Sequence, residues 1–255
     1  MRTLMLGFLT LITLGAGMEA AAQTPEERTA LRNVAVKHGD AVVRVLATRK
    51  TRQTINGREQ SRDQAVQTNA TVLDGTGLAV AGLSEFEAPD GLTAALQASA
   101  PPGTTISMST ETTDLKMHLA DGREVPAKIV LRDADLDLMF IRPAEPLSSV
   151  PVVDAAAGKP AILDPLIVVQ RTSEATGWRM FPGLVHLQII VDKPRTFYVV
   201  PTVGLNGAGI GAPVFDAGGK FVGVLVRIAG TRTNPLPGIL PADDVREIAK
   251  QAAGK

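Results

Sequence analysis

The sequence predicts an all-β protein: two antiparallel six-stranded β-barrels followed by one C-terminal helix. Three observations lead there. Short β-branched runs recur along the chain, each bounded by Asp-Gly, Pro or a charged cluster, the punctuation of antiparallel strands. Gly 24 and Pro 17 among 255 residues exceed what a helical bundle carries and suit a turn-rich sheet protein. The runs fall into two groups around a proline-containing break, and closing each group into a barrel removes the edges that open sheets expose. A single large sandwich is the alternative architecture.

The N-terminus stands apart from this pattern. Arg2 supplies a positive n-region, Leu4–Gly15 an apolar h-region and Ala20-Ala21-Ala22 an A-x-A cleavage site, the three parts of a secretory signal peptide over residues 1–22. The apolar stretch is too short to cross ~30 Å of hydrocarbon as a helix. The expectation is an exported chain that begins at Gln23, periplasmic or secreted, with no transmembrane segment.

Residues 23–145 are expected to hold an N-terminal segment and the first barrel. From Thr24 to His38 a capping threonine, acids in the first turn and the spacing of Leu31, Val34 and Val36 predict a short helix. The run Ala41–Leu46 predicts a strand, and Asn56-Gly57 between polar arms a hairpin turn. Strands follow at Ala70–Leu73, Leu78–Ala81, Leu115–Leu119, Ala127–Leu131 and Leu138–Arg142. The stretch from Phe86 to Thr113, rich in Ala, Pro, Ser and Thr, reads as a loop or insertion outside the core.

Residues 146–160 read as a linker, and residues 161–255 as a second barrel with the terminal helix. Its strands are predicted at Leu166–Gln170, Gly183–Val191, Thr196–Val200, Pro213–Phe215 and Phe221–Ile228. Val185, Leu187, Ile189 and Val191 alternate with His186 and Gln188, as one half-buried strand requires. Pro241 opens the last helix, Asp243 and Asp244 suit its positive end, and Val245, Ile248, Ala249 and Ala252 share a face.

Charge and composition exclude several classes of function. Lys+Arg 26 balances Asp+Glu 26, which argues against a nucleic-acid partner. Cysteine is absent, so there is no disulfide scaffold, thiol nucleophile or thiolate metal site. With three histidines, no metal centre and no cofactor are expected. His118 and His186 lie on the polar parity of their strands and His38 ends the first helix, so surface or structural roles are expected for each. The glycines of Gly207-Ala208-Gly209-Ile210-Gly211 precede Pro213 and a hairpin rather than a helix, which excludes a dinucleotide fingerprint. Arg44, Arg49, Lys50, Arg52, Arg58 and Arg62 face a single acid, Glu59, over residues 44–62. They form either a solvated hairpin or a patch for an anionic surface, without interleaved aromatics for base stacking.

Four segments, in order, resemble the trypsin-like serine proteases, closest to the bacterial HtrA-type branch. Asp74–Ser84 is similar to the strand and turn that deliver the catalytic His, a variant of GLIVTNAHV. Leu119–Val130 resembles the SDGRxxxAKVV hairpin, and Arg132–Ile141 the RDxxxDLALL entry that bears the triad Asp. Asn206–Val224 resembles NPGNSGGPLVNxxGxVVGI, the nucleophile loop and the hairpin after it. Gly238-Ile239-Leu240-Pro241 before a helix fits the end of such a domain, and no segment is expected for a PDZ domain. The resemblance implies the chymotrypsin-type double barrel.

The departures from the pattern bear on activity. Residue by residue, the triad His position holds Ser84, the Asp position Asp137 and the nucleophile position Ile210; Ala208, Gly209 and Ile210 form the former oxyanion loop. Serine attack needs a hydroxyl whose proton passes to a base oriented by a carboxylate, and isoleucine has no nucleophile. Asp137, shielded in the family, needs another donor: Ser84 through a water, or nearby backbone. The resemblance therefore implies a non-catalytic homologue that holds a protein or peptide in the former substrate cleft. An endopeptidase with a rearranged site is the alternative, and a surface-binding module using the basic hairpin 44–62 a second one.

Overall fold

The computed structural model describes residues 23–88, 91–147, 149–202, 205, 209–228 and 236–254. The expected signal segment 1–22 lies outside them. Among the described residues no helix is long and apolar enough to cross a membrane.

Thr24 starts helix α1 (Pro25–His38) with a capping box: its hydroxyl accepts from the Glu27 N–H, and the Glu27 carboxylate accepts from the Thr24 N–H. The helix buries Leu31, Val34, Ala35 and His38. It packs not on the barrel that follows it in sequence but on strands of the second sheet.

The first barrel is closed and six-stranded, in the order β1 (Val42–Ile55), β2 (Arg58–Val72), β3 (Ala79–Gly82), β6 (Leu138–Pro143), β5 (Glu124–Asp133), β4 (Ile106–His118). Val43, Val45, Val72, Ala81, Met117, Met139 and Ile141 fill it. Asn56 and Gly57 both take positive φ (51° and 77°), the geometry a two-residue hairpin of matching twist requires.

Two expectations for this half are corrected. The Ala41–Leu46 run is only the base of a strand that continues to Ile55, and the stretch from Phe86 to Thr113 is not a loop. It contains helix α2 (Leu92–Ser99), with no buried residue, and the outer half of β4, paired with β1 from Ile55↔Ile106 inward. Together β1, β2 and β4 extend beyond the barrel as a largely exposed three-stranded ribbon. Most basic residues of hairpin 44–62 ride on it; Arg44 does not, being 7% exposed at the barrel end.

The second sheet completes the expected double barrel, though with seven strands in place of six and an open curl in place of full closure. It is a curled half-barrel of seven strands: β8 (Met180–His186), β7 (Pro165–Arg171), β11 (Pro213–Asp216), β12 (Phe221–Ile228), β13 (Leu236–Pro241), β10 (Phe197–Val199), β9 (Ile189–Val191). The seventh strand arises because the single strand expected over Gly183–Val191 is split. At the break Leu187 donates to Asp164 O while Gln188 donates to Val199 O. The chain thereby passes from one sheet edge to the other, and β8 and β9 end up at opposite edges. Covalent continuity closes the curl where ladder bonds do not. Helix α3 (Ala242–Ala253) then buries Val245, Ile248, Ala249 and Ala252.

Residues 149–160 are irregular but pinned. Val153 donates to Val72 O, Ala157 bridges Phe221, and Arg246 of α3 bonds Ala155 O.

Candidate functional site

The register of two strands creates the central contact. β3 and β6 pair antiparallel with Gly82 opposite Leu138, so the residues just past the one and just before the other meet. Leu83 donates to Asp137 O at 3.0 Å. Asp137 closes the turn with φ 56°, which aspartate tolerates better than most residues. Its carboxylate then receives Ser84 twice: the Ser84 N–H on Oδ1 at 2.7 Å and the Ser84 hydroxyl on Oδ2 at 2.8 Å. No intervening water is needed; the donor expected for Asp137 is both the serine side chain and its own backbone.

A third partner comes from the other sheet. Arg227 projects from β12, its Nε 3.4 Å from Asp137 Oδ2, and its Nη2 donates to Ser84 Oγ at 3.3 Å. The Asp137 side chain is 12% exposed and that of Arg227 43%. Sequence reasoning missed this arginine. The available signal was one charged residue inside the otherwise apolar run 221–228.

Ile210 stands at the seam and packs against the core. A Cβ placed on Gly82 would lie 2.9 Å from Ile210 Cβ, so the isoleucine rests on bare backbone two residues before Ser84. Gly211, at φ 88°, is pressed still closer: a Cβ there would meet Ala81 Cα at 2.6 Å. Thr71 locks the approach by donating to Gly211 O at 2.7 Å. Gly209 lies beneath Thr68, whose Oγ1 would be 2.9 Å from an added Cβ. Ala208 lies outside the described residues.

Every histidine is engaged elsewhere. His38 is buried, stacked on Phe215 with ring centroids 4.4 Å apart, and its Nε2 is 3.1 Å from Gly219 O. It is a core residue rather than the helix cap its position suggested, and burial holds its pKa below the usual value despite the carbonyl contact. His118 packs on Trp178, and His186 lies 3.6 Å from Glu27. The trio therefore has no imidazole, the base that serine attack ordinarily uses. Beside it, a groove of about 370 Å³ runs between the sheets, lined among others by Asp135, Leu136, Arg195, Phe197 and Arg227.

A family model described as a trypsin-like peptidase domain matches residues 60–224. Among solved structures, "HtrA-type protease AlgWS227A with decapeptide" superposes with a TM-score of 0.59 at 13% identity, covering 88% of this chain and 67% of that one. "HtrA-type protease AlgWS227A with tripeptide" gives 0.55 at 14% identity, covering 86% of this chain and 62% of that one. The chain thus spans about two thirds of the length of those structures. No curated protein sequence matches it.

Proposed function

Because the chain belongs to the trypsin-like peptidase domain family, we propose that it is an exported member that no longer cleaves peptides and instead holds a protein or peptide along the former substrate cleft. On this reading Ser84, Asp137 and Ile210 are the degenerate triad positions, and Ala208, Gly209 and Ile210 the former oxyanion loop. The observation that carries it is the occupancy of the Asp137 carboxylate. Ser84 donates to both oxygens and Arg227 approaches one of them, so the carboxylate orients a hydroxyl and a guanidinium where the triad would place an imidazole. A relay through Ser84 would require its hydroxyl to give up a proton to a carboxylate, a weak base, while the residue at the nucleophile position is apolar.

The groove beside Arg227 supports the binding half of the proposal. Lined by Phe197, Leu136 and charges of both signs, it suits an extended segment added along a strand edge. The similar HtrA-type proteases are described with a decapeptide and with a tripeptide, which is consistent with this mode. The apolar stretch before Ala20-Ala21-Ala22 supports export.

The test is labelling of the purified mature protein with a fluorophosphonate probe, which reacts with activated serines. The expected result is no adduct. A covalent adduct on Ser84 or any other serine establishes the alternative, an endopeptidase with a rearranged site.

A further inference from the structure

Away from the Ser84–Asp137 trio, a second polar cavity of about 210 Å³ opens where β1, β2 and β7 meet, lined by Arg44, Asn69, Gln170, Arg171, Thr172, Ser173 and Phe181. Its donors outnumber its acceptors. Arg44 is 7% exposed, and among the described residues no carboxylate comes within 4.0 Å of it. Its Nη1 reaches one carbonyl, Arg171 O, at 3.4 Å, and its Nε is sealed from water with no partner at all. Buried arginines are ordinarily paired, because an isolated charge in a protein interior is costly.

The neighbouring groups share this condition. Among the described residues five buried side-chain atoms have no hydrogen-bond partner, and three belong to this corner: Arg44 Nε, Thr172 Oγ1 and His118 Nδ1. His118 lies opposite Arg44 on the paired strand. Asn69, 3% exposed, accepts the Arg171 N–H on Oδ1 at 2.8 Å, which turns its amide NH₂ away as a donor. Arg171 itself is fully employed: it bonds Val42 O, Gly39 O and Trp178 O and pairs with Asp40 at 3.3 Å. The unbalanced charge therefore belongs to Arg44. Desolvation pushes its pKa down to about 10, opposed only by the distant charge of Glu85.

We infer that this cavity is a binding site for a small oxyanion, the counter-charge that Arg44 lacks. An acceptor-only ligand fits a wall of guanidinium, amide and hydroxyl donors. The volume admits a phosphate, a sulfate or a single carboxylate with a few waters, and is below the ~300 Å³ at which sites for larger organic ligands begin. A free tetrahedral ion and the carboxylate of a peptide share this chemistry, and the test separates them.

The protein carries its own reporter. Its single tryptophan, Trp178, lies 4.7 Å from His118 and beneath the Arg44 guanidinium at 5.8 Å. Tryptophan fluorescence of the mature chain is followed while sodium phosphate, sodium acetate or sodium chloride is added at matched ionic strength. The expected result is a saturable change with phosphate or acetate and none with chloride. Phosphate alone identifies a tetrahedral ion as the ligand; acetate alone identifies a carboxylate. Arg44→Met, which keeps the apolar stem without the charge, is expected to weaken binding at least about tenfold, the loss of a charge-assisted contact. Asn69→Asp keeps the acceptor for the Arg171 N–H and puts a negative charge in place of the amide donor, so it is expected to weaken binding at least about tenfold, and it tests the site even if Arg44→Met does not fold. No saturation with either oxyanion, or unchanged affinity in folded Arg44→Met or in Asn69→Asp, overturns the proposal.

Discussion

Arg227 Nε stands 3.4 Å from Asp137 Oδ2, which brings a permanent cation from the second sheet onto the one carboxylate buried at the junction. If Ser84 marks the former base position, this arginine is a barrier to restoring the relay as well as a filler of the gap. Neither Ile210→Ser nor Ser84→His alone is expected to hydrolyse casein or a peptide substrate. The double variant is expected to be weak, because its new imidazole would face Arg227 for the same carboxylate. Adding Arg227→Ala to the pair is expected to raise the rate, since triad members act as a unit. Efficient hydrolysis by wild type or by Ile210→Ser alone would mean that another group supplies the base.

Asp137 is expected to be worth more to stability than to any reaction. Asp137→Ala leaves the Ser84 N–H without its acceptor, a loss of about 1–3 kcal/mol. It also forces alanine to φ 56°, which adds about 1–2 kcal/mol. Asp137→Asn keeps an acceptor oxygen and tolerates the left-handed backbone, so its urea midpoint is expected to fall between wild type and the alanine variant. Equal midpoints for the two substitutions would show that the carboxylate clamp contributes nothing.

The seam between the sheets depends on the absence of a side chain at position 211. Gly211→Ala would drive a Cβ to 2.6 Å from Ala81 Cα, a contact with backbone that no rotamer relieves. A loss beyond about 3 kcal/mol is expected by chemical denaturation, near the upper end of single substitutions. Gly57→Ala is the control: φ is also positive there (77°), but nothing lies within 4 Å, so about 1–2 kcal/mol is expected.

Acid is expected to weaken the fold through His38. Burial lowers its pKa in the folded protein below the value of 6.5 it regains on unfolding. The unfolded chain therefore takes up the proton first as pH falls. Stability is full above about pH 6.5 and declines as pH drops from there toward the folded pKa. His38→Phe preserves the stack on Phe215 and is expected to flatten this part of the profile, read as thermal midpoints between pH 7.5 and pH 5.5. An unchanged slope in the variant would assign the acid sensitivity to other groups.

How far the sequence reaches is clearest in four places. Ser84 and Asp137 were legible as a pair only through the resemblance of Asp74–Ser84 and Arg132–Ile141 to a known family pattern; the structure adds that the strands beside them pair in register. Arg227 was not, because its role depends on how one sheet lies against the other, which no local pattern encodes. The split at Leu187 was hidden for a subtler reason. Apolar residues recur at every second position from Val185 to Val191, yet past the corner the inward face changes together with the hydrogen-bond partner: Ile189 is 51% exposed and Ile190 packs against the core. The outer half of β4 failed as a strand because its Ser and Thr residues pair within an exposed ribbon and need no apolar face.

The long β1–β2 hairpin also sets an order of assembly. Its pairs nest outward from Ile55↔Arg58 to Val42↔Thr71, so each new rung closes only a small additional loop, and such hairpins zip in about 1–10 μs. The rungs of the junction are of another kind: Ser84 and Asp137 are 53 residues apart, Thr71 and Gly211 140, and Ser84 and Arg227 143. Contacts of such separation form late, after shorter loops have been closed. A chain that emerges N-terminus first can therefore raise its ribbon while most of the second sheet is still to come. The carboxylate of Asp137 meets its arginine only when nearly the whole chain is present.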